Sequence, residues 1–201
     1  MEGKTTLILA SASPRRAQIL RDAGIAFEVV APSVEENVLP GESAEAMVLR
    51  LAEAKARAAA ASIAPQTRQI LVLGADTTVV GPDGATILGK PESAEDAARM
   101  LRILSGRTHR VLTGIAVIRL HDGEFRSAVE STSVTFADFG EDEIASAIAS
   151  GEPLDKAGAY AIQGRAGKFV TRVEGSYSNV VGLPLERVRA ILSEMGWTGN
   201  K

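Results

Sequence analysis

The sequence predicts an α/β protein built on a mixed, twisted sheet flanked by helices. Three observations lead there. Short apolar, strand-like runs alternate with segments whose apolar residues recur at helical spacing. Two Gly-containing turn sequences each join a pair of strand-like runs directly, which breaks a purely parallel pattern. The chain of 201 residues, 45% hydrophobic and 23% charged, is long enough to bury a substantial core as one domain or two closely joined lobes.

The elements follow in order. Thr5 to Ala10 is an apolar strand that meets Ser11-Ala12-Ser13-Pro14, after which Ala17, Ile19, Leu20 and Ala23 recur helically until Gly24. Phe27 to Val30 reads as a second strand and Pro32 to Glu42 as a polar loop. Ser43 caps a long helix that runs to about Ser62. Ile70 to Gly74 reads as a buried strand ending at Ala75-Asp76. The turn Gly81-Pro82-Asp83-Gly84 then joins it to Ala85 to Leu88. Ser93-Ala94-Glu95-Asp96 opens a third helix that Gly106 stops. Arg110 to Leu120 pairs with Glu124 to Phe136 across His121-Asp122-Gly123. A short helix from Glu141 to Ser150, a Gly-containing stretch from Gly151 to Gly167, a strand from Lys168 to Val173 and a helix from Pro184 to Met195 complete the chain. No repeat, low-complexity linker or composition shift divides residues 1–201, so a single domain is expected.

Composition narrows the functional classes. The net charge is −3, with lysines and arginines dispersed, so no basic stripe for nucleic acid exists; with 4% aromatic residues there is no stacking platform either. The absence of cysteine excludes disulfides, a thiolate metal site and a cysteine nucleophile. The apolar run Leu7 to Ala10 is too short for a signal-peptide core or membrane span, so a cytoplasmic protein without a membrane partner is expected. The two histidines, His109 and His121, are not at ligand spacing. A metal here must therefore sit on carboxylates, which favours a hard, magnesium-like ion.

Four segments carry chemistry. In Ser11-Ala12-Ser13-Pro14-Arg15-Arg16, Ser13 suits a cap and Pro14 the first helical position, so free backbone N–H groups and two arginines point into one volume. A helix N-terminus carries roughly half a positive charge and guanidinium grips phosphate oxygens in pairs, which makes this an anion site. The alternative is a capped surface helix with solvated arginines, but two cations in a first turn oppose the helix dipole and need a compensating anion. Lys55 follows Val48 and Leu51 at helical spacing, which places it on the inward face together with Ala58. Either it has a buried partner or its stem snorkels to water. Asp76 follows an apolar strand, and with Glu36 from the polar loop it forms a two-carboxylate site for a hard cation on a triphosphate. The alternative for Asp76 is a turn or cap residue. Gly89-Lys90-Pro91 and Asp155 to Gly164 combine glycines, lysines, Tyr160 and Gln163, a composition that lets backbone approach a ligand while side chains read a base.

Taken in order, SASPRR, the Glu35-Glu36 loop, GADTTV, GKP, LSGRTHRVLTG, EPLDKAGAYAIQG and GSYSNVVGLPL resemble the Maf family of nucleotide pyrophosphatases, from Leu7 to about Glu194. The resemblance implies a homodimer with a two-lobed, inosine-triphosphatase-like α/β fold and a central cleft. It implies a phosphate path lined by Ser11, Arg15, Arg16, Lys55, Lys90 and Lys156, with Glu36 and Asp76 serving a divalent metal (Mg2+ or Mn2+, with Co2+ a further candidate). Asp76 is the family's proton acceptor. The positions that separate its subgroups correspond to Arg15, Thr77 and Gln163, and these three residues resemble the subgroup acting on dTTP and UTP. In the subgroup acting on 7-methyl-GTP, an aromatic residue, Gln and Glu usually stand there. A glutamine amide both donates and accepts, which suits the O4 and N3–H edge of thymine or uracil.

The expected reaction is attack of water on the α-phosphorus of dTTP or UTP, releasing pyrophosphate and the monophosphate; modified pyrimidine triphosphates are further candidates. The competing readings are a pyrophosphatase for 7-methyl-GTP or another modified purine, and a non-catalytic nucleotide-binding regulator of cell division.

Overall fold

The structure, a computed structural model, describes residues 5–64, 69–197 and 199, so the outermost residues of the expected 1–201 domain lie outside it. In chain order it contains β1 (Thr6–Ala10), α1 (Pro14–Asp22), β2 (Glu28–Val29), α2 (Ala44–Ala61), β3 (Ile70–Val80), β4 (Ile87–Leu88) and α3 (Ala94–Leu104). There follow β5 (Thr108–Arg119), β6 (Phe125–Phe136), α4 (Glu141–Ala149), three short 3-10 turns (Glu152–Asp155, Ala157–Ala159, Arg165–Phe169), β7 (Val170–Glu174), α5 (Tyr177–Val181) and α6 (Leu185–Glu194). The strands form a mixed sheet in the order β2-β1-β3-β5-β6-β7, with β4 paired to β3. β1 pairs in parallel with β2 and β3, whereas β4 and β7 run antiparallel to β3 and β6. The mixed α/β fold expected from the sequence is therefore present.

The chain divides into two compact units. The first comprises residues 1–76, 113–130 and 182–201; the second comprises 77–112 and 131–181. In the first unit, strand periodicity sorts consecutive apolar residues onto opposite faces of the sheet. Leu7, Leu9, Leu71, Leu73, Ile115 and Val117 pack with Ala17 and Leu20 of α1 and with Val188, Ile191 and Leu192 of α6. The intervening Ile8, Ala10, Ile70, Val72, Ala116 and Ile118 pack with Ala52, Ala56 and Ala59 of α2. Burial on both faces is why these strands read as continuous apolar runs.

Two glycines set how closely α2 lies on this sheet. A Cβ on Gly74 would stand 2.2 Å from the Ala52 carbonyl oxygen, and one on Gly114 would stand 2.3 Å from that of Val48. Only hydrogen fits at either place, so the helix backbone rests directly on β3 and β5.

The second unit has its own core, formed by Val79, Leu88, Leu101, Leu104, Val111, Val134, Phe136 and Tyr160 among others. Its turns carry the chemistry-bearing segment 155–164.

Several boundaries differ from the sequence reading. β3 continues through Thr77, Thr78, Val79 and Val80, so Asp76 is a mid-strand residue. The β-branched run favours extended backbone, and Val79 and Val80 pair with Leu88 and Ile87. The final strand starts at Val170 because residues 165–169 form a 3-10 turn, and α5 was not foreseen as a helix. Ser43 and Ser93 do cap their helices, accepting from the Ala46 and Asp96 N–H groups.

Candidate active site

In the first unit, the end of β1, the start of α1, the middle of α2, the 31–42 loop and Asp76 of β3 supply one polar cluster. Lys55 is its centre. It lies on the α2 face that carries Ala52, Ala56 and Ala59, all buried, and is itself 8% exposed. Ala58, expected beside it, is only half-buried, because the helical stripe passes through Ala59. The Lys55 ammonium does not snorkel to water: Nζ donates to Asp76 Oδ1 at 2.6 Å and stands 2.6 Å from Glu36 Oε1. One cation thus bridges two carboxylates from distant parts of the chain. Asp76 is as buried as the lysine, whereas the Glu36 side chain is 41% exposed.

Arg16 adjoins this group. It is buried, with Nε donating to the Gly182 carbonyl at 2.8 Å and Nη1 to Ser11 Oγ at 3.1 Å. Burial lowers its affinity for the proton, the negative charges of Asp76 and Glu36 raise it, and the neighbouring Arg15 lowers it again; burial is the largest effect. The guanidinium stays charged, since its unperturbed value is so high. The first turn of α1 holds no acidic residue. For Arg16, negative charge is instead supplied across space by Asp76 and Glu36. Ser13 does not cap α1 through its side chain. Its N–H instead donates to Ser11 Oγ at 3.2 Å, so Ser11 is the residue that organises this turn.

The 31–42 loop is fixed by a residue that sequence reasoning passed over. Arg50 of α2 donates from Nε and Nη2 to the two Glu42 carboxylate oxygens at 2.6 and 2.7 Å, and from Nη2 to the Asn37 carbonyl at 3.0 Å. This fork holds the residue next to Glu36. Its signal in the sequence is Glu42 just before the helix that carries Arg50, but many surface pairs look alike. Gly182, whose motif was recognised without a role, has φ +126, a conformation essentially reserved for glycine, and presents its carbonyl to Arg16.

The structure therefore brings together Ser11, Arg16, Glu36, Lys55 and Asp76, with Arg15 half-buried beside them in the chain. Thr77, Lys90, Lys156 and Gln163 belong to the second unit. Thr77 is the next residue of β3 and half-buried, and Lys90 is exposed after β4. Lys156 pairs with Asp155 at 2.6 Å, and Gln163 is exposed in a turn. Within that unit the Gly158 N–H donates to the Gly89 carbonyl at 3.0 Å, which joins the Gly89-Lys90-Pro91 segment to the 155–164 segment.

Among the described residues, no group of three or more His, Cys, Asp or Glu side chains is placed to hold a metal. A magnesium-like ion does not need one, because it keeps waters and takes substrate phosphate oxygens beside one or two carboxylates. Glu36 and Asp76 each bring a carboxylate oxygen to within 2.6 Å of Lys55 Nζ, so two hard oxygen donors stand close together, a set that fits such an ion beside the ammonium.

These features define an α/β protein whose first unit gathers cations and carboxylates at a helix N-terminus, an arrangement matched to a phosphate-bearing ligand. Comparison with known proteins agrees. The family model described as Maf-like protein matches residues 6–195. A dTTP/UTP pyrophosphatase of Geobacillus sp. (strain WCH70) is 49% identical over 95% of this chain and 98% of its own. One from Geotalea uraniireducens (strain Rf4) is 50% identical over 98% of both chains, and one from Escherichia coli O157:H7 is 47% identical over 94% of this chain and 92% of its own. Similarity to a solved nucleoside-triphosphatase / dITP/XTP pyrophosphatase from Mycobacterium abscessus, with TM-score 0.39 and 15% identity over 94% of each chain, is too slight to bear on fold or function. The chain belongs to the Maf-like protein family.

Proposed function

We propose that this protein is a nucleoside triphosphate pyrophosphatase that hydrolyses dTTP and UTP to the monophosphate and pyrophosphate. The geometric observation that carries the chemistry is the Lys55 ammonium 2.6 Å from both Glu36 and Asp76. The choice of substrate draws on relatives about half identical over nearly the whole chain and named for dTTP and UTP.

Asp76 is the proton acceptor. It takes the proton of the water that attacks the α-phosphorus, and Lys55 holds its carboxylate in place for that transfer. Ser11, Arg15 and Arg16 receive phosphate oxygens at the start of α1; the Gly182 carbonyl and Ser11 fix the plane of the Arg16 fork. Lys90 and Lys156 supply further positive charge to the phosphates, and Thr77 and Gln163 with Arg15 select the base. Glu36 and Asp76 would hold a divalent cation, Mg2+, Mn2+ or Co2+, which when bound would neutralise triphosphate charge and polarise the phosphoryl oxygens. In such reactions catalysis is chiefly positioning and charge stabilisation, which is what the cluster offers. No described helix is long and apolar enough to cross a membrane; the reading adds a cytoplasmic location and a homodimeric state.

A hydrolysis panel of dTTP, UTP, CTP, GTP, dATP and 7-methyl-GTP, each with Mg2+, Mn2+ and Co2+, tests this. The expected result is pyrophosphate and monophosphate, fastest from dTTP and UTP. Orthophosphate release, or preference for 7-methyl-GTP, contradicts it.

A further inference from the structure

The second unit contains a buried polar pair to which the proposed chemistry gives no part. His109 of β5, 1% exposed, lies with Nε2 2.7 Å from the Tyr160 hydroxyl, and Tyr160 is 7% exposed. The two rings meet edge to face, and both pack on Phe136. Among the described residues, the buried imidazole Nδ1 has no hydrogen-bond partner. A buried polar pair inside an aromatic cluster costs desolvation that Phe and Leu would avoid, which directs attention to what the bond holds.

Tyr160 ends a stretch of strained backbone. Ala159 has φ +60 and, among the described residues, is the non-glycine residue with positive φ. Such a conformation is strained for a residue with a Cβ and persists only where its surroundings enforce it. Three contacts do so. The Gly158 N–H is fixed to the Gly89 carbonyl, the Gly158 backbone presses on Val79 so closely that a Cβ would stand 2.9 Å from its Cγ2, and the Tyr160 ring is anchored by His109. The residues on either side of this clamp are Lys156 and Gln163, and the Gly164 N–H then closes a turn on the Ala161 carbonyl at 3.0 Å.

We infer that His109 is a positioning residue for substrate selection, acting through the Tyr160 hydroxyl to lock the 156–164 segment so that Gln163 meets the base in one orientation. The inference rests on the proposed reading of Gln163 as a base-recognising residue. His109 itself touches no substrate. Losing one hydrogen bond of this kind shifts an equilibrium by about three- to ten-fold.

Three variants test it: Tyr160→Phe, which keeps the ring and removes only the hydroxyl; His109→Gln, which keeps a polar partner; and His109→Leu, which keeps none. For Tyr160→Phe and His109→Leu, the expected result is a three- to ten-fold fall in the UTP-over-GTP ratio of kcat/KM, carried by a higher KM for UTP with kcat little changed. His109→Gln should restore part of the ratio. In a Gln163→Ala background, Tyr160→Phe should have no further effect on the ratio, because the lock then positions nothing that reads the base. Hydrogen exchange gives a readout independent of turnover: the Gly158 and Gly164 amides should exchange faster in Tyr160→Phe while the strands of the first unit are unchanged. If the unaltered protein hydrolyses neither dTTP nor UTP, the functional reading fails while the exchange measurement still decides on the lock. Unchanged exchange at those amides, or an unchanged ratio in an active Tyr160→Phe enzyme, overturns the inference.

Discussion

At the residue scale, two buried ionisable groups are handled in opposite ways. Lys55 is paired: its Nζ stands 2.6 Å from two carboxylates, and removing it leaves Asp76 buried without that partner. Lys55→Met should therefore destabilise the protein by about 1–3 kcal/mol and lower Tm. Millimolar Mg2+ should recover part of that loss, since the ion takes the vacated place between Glu36 and Asp76. A calorimetric scan with and without Mg2+ checks this, and no recovery would mean that the two carboxylates do not form an ion site. His109 is instead kept neutral, burial pushing it down to about 4. The unfolded chain then binds a proton that the folded one refuses, so stability is full above about pH 6.5 and falls as pH drops toward about 4. The slope of Tm against pH in that window should be shallower in His109→Gln than in the parent protein; identical slopes would show that His109 does not titrate as its burial dictates.

At the scale of elements, the site depends on how α2 is seated. Lys55 lies one turn beyond Ala52, whose carbonyl occupies the space a Gly74 side chain would need. Gly74→Ala and Gly114→Ala must each push the helix from the sheet, with an expected cost on the order of 3 kcal/mol. Because the helix carries Lys55, the surviving folded fraction of either variant should also turn over more slowly. Full activity per folded molecule would contradict that coupling. The 31–42 loop is a second such dependence, with Arg50→Ala expected to weaken divalent-ion binding by freeing the Asn37 and Glu42 anchors beside Glu36, which isothermal titration would measure.

These elements show what the sequence could reveal. Lys55 was legible because an isolated lysine in an apolar helical stripe needs a partner, and Arg16 because two arginines in a first turn need an anion, whereas Ser11 came only with the family resemblance. The length of β3 was not, because Asp76 resembles a strand end while the Thr-Thr-Val-Val that follows continues the strand through pairing with β4, a contact remote from local pattern. Ser13 looked like the cap, yet Ser11 does the organising, since which of two nearby hydroxyls turns inward depends on where Arg16 lies. Arg50 and the His109–Tyr160 pair were invisible, as their partners are set by tertiary packing and not by spacing.

At the scale of the whole molecule, two compact units each own a core, and the sequence motifs are shared between them: the carboxylate cluster in the first, the Gln163 segment in the second. The homodimer reading is checked by sedimentation velocity, which should give twice the chain mass of 21.0 kDa. The proposed reaction depends chiefly on Asp76 as proton acceptor. The most direct measurement is single-turnover release of pyrophosphate from UTP by Asp76→Asn, with its fold verified by circular dichroism. A loss of about 100-fold or more in rate is expected, the usual scale for removing a general base; near-normal turnover by the folded variant would contradict the mechanism.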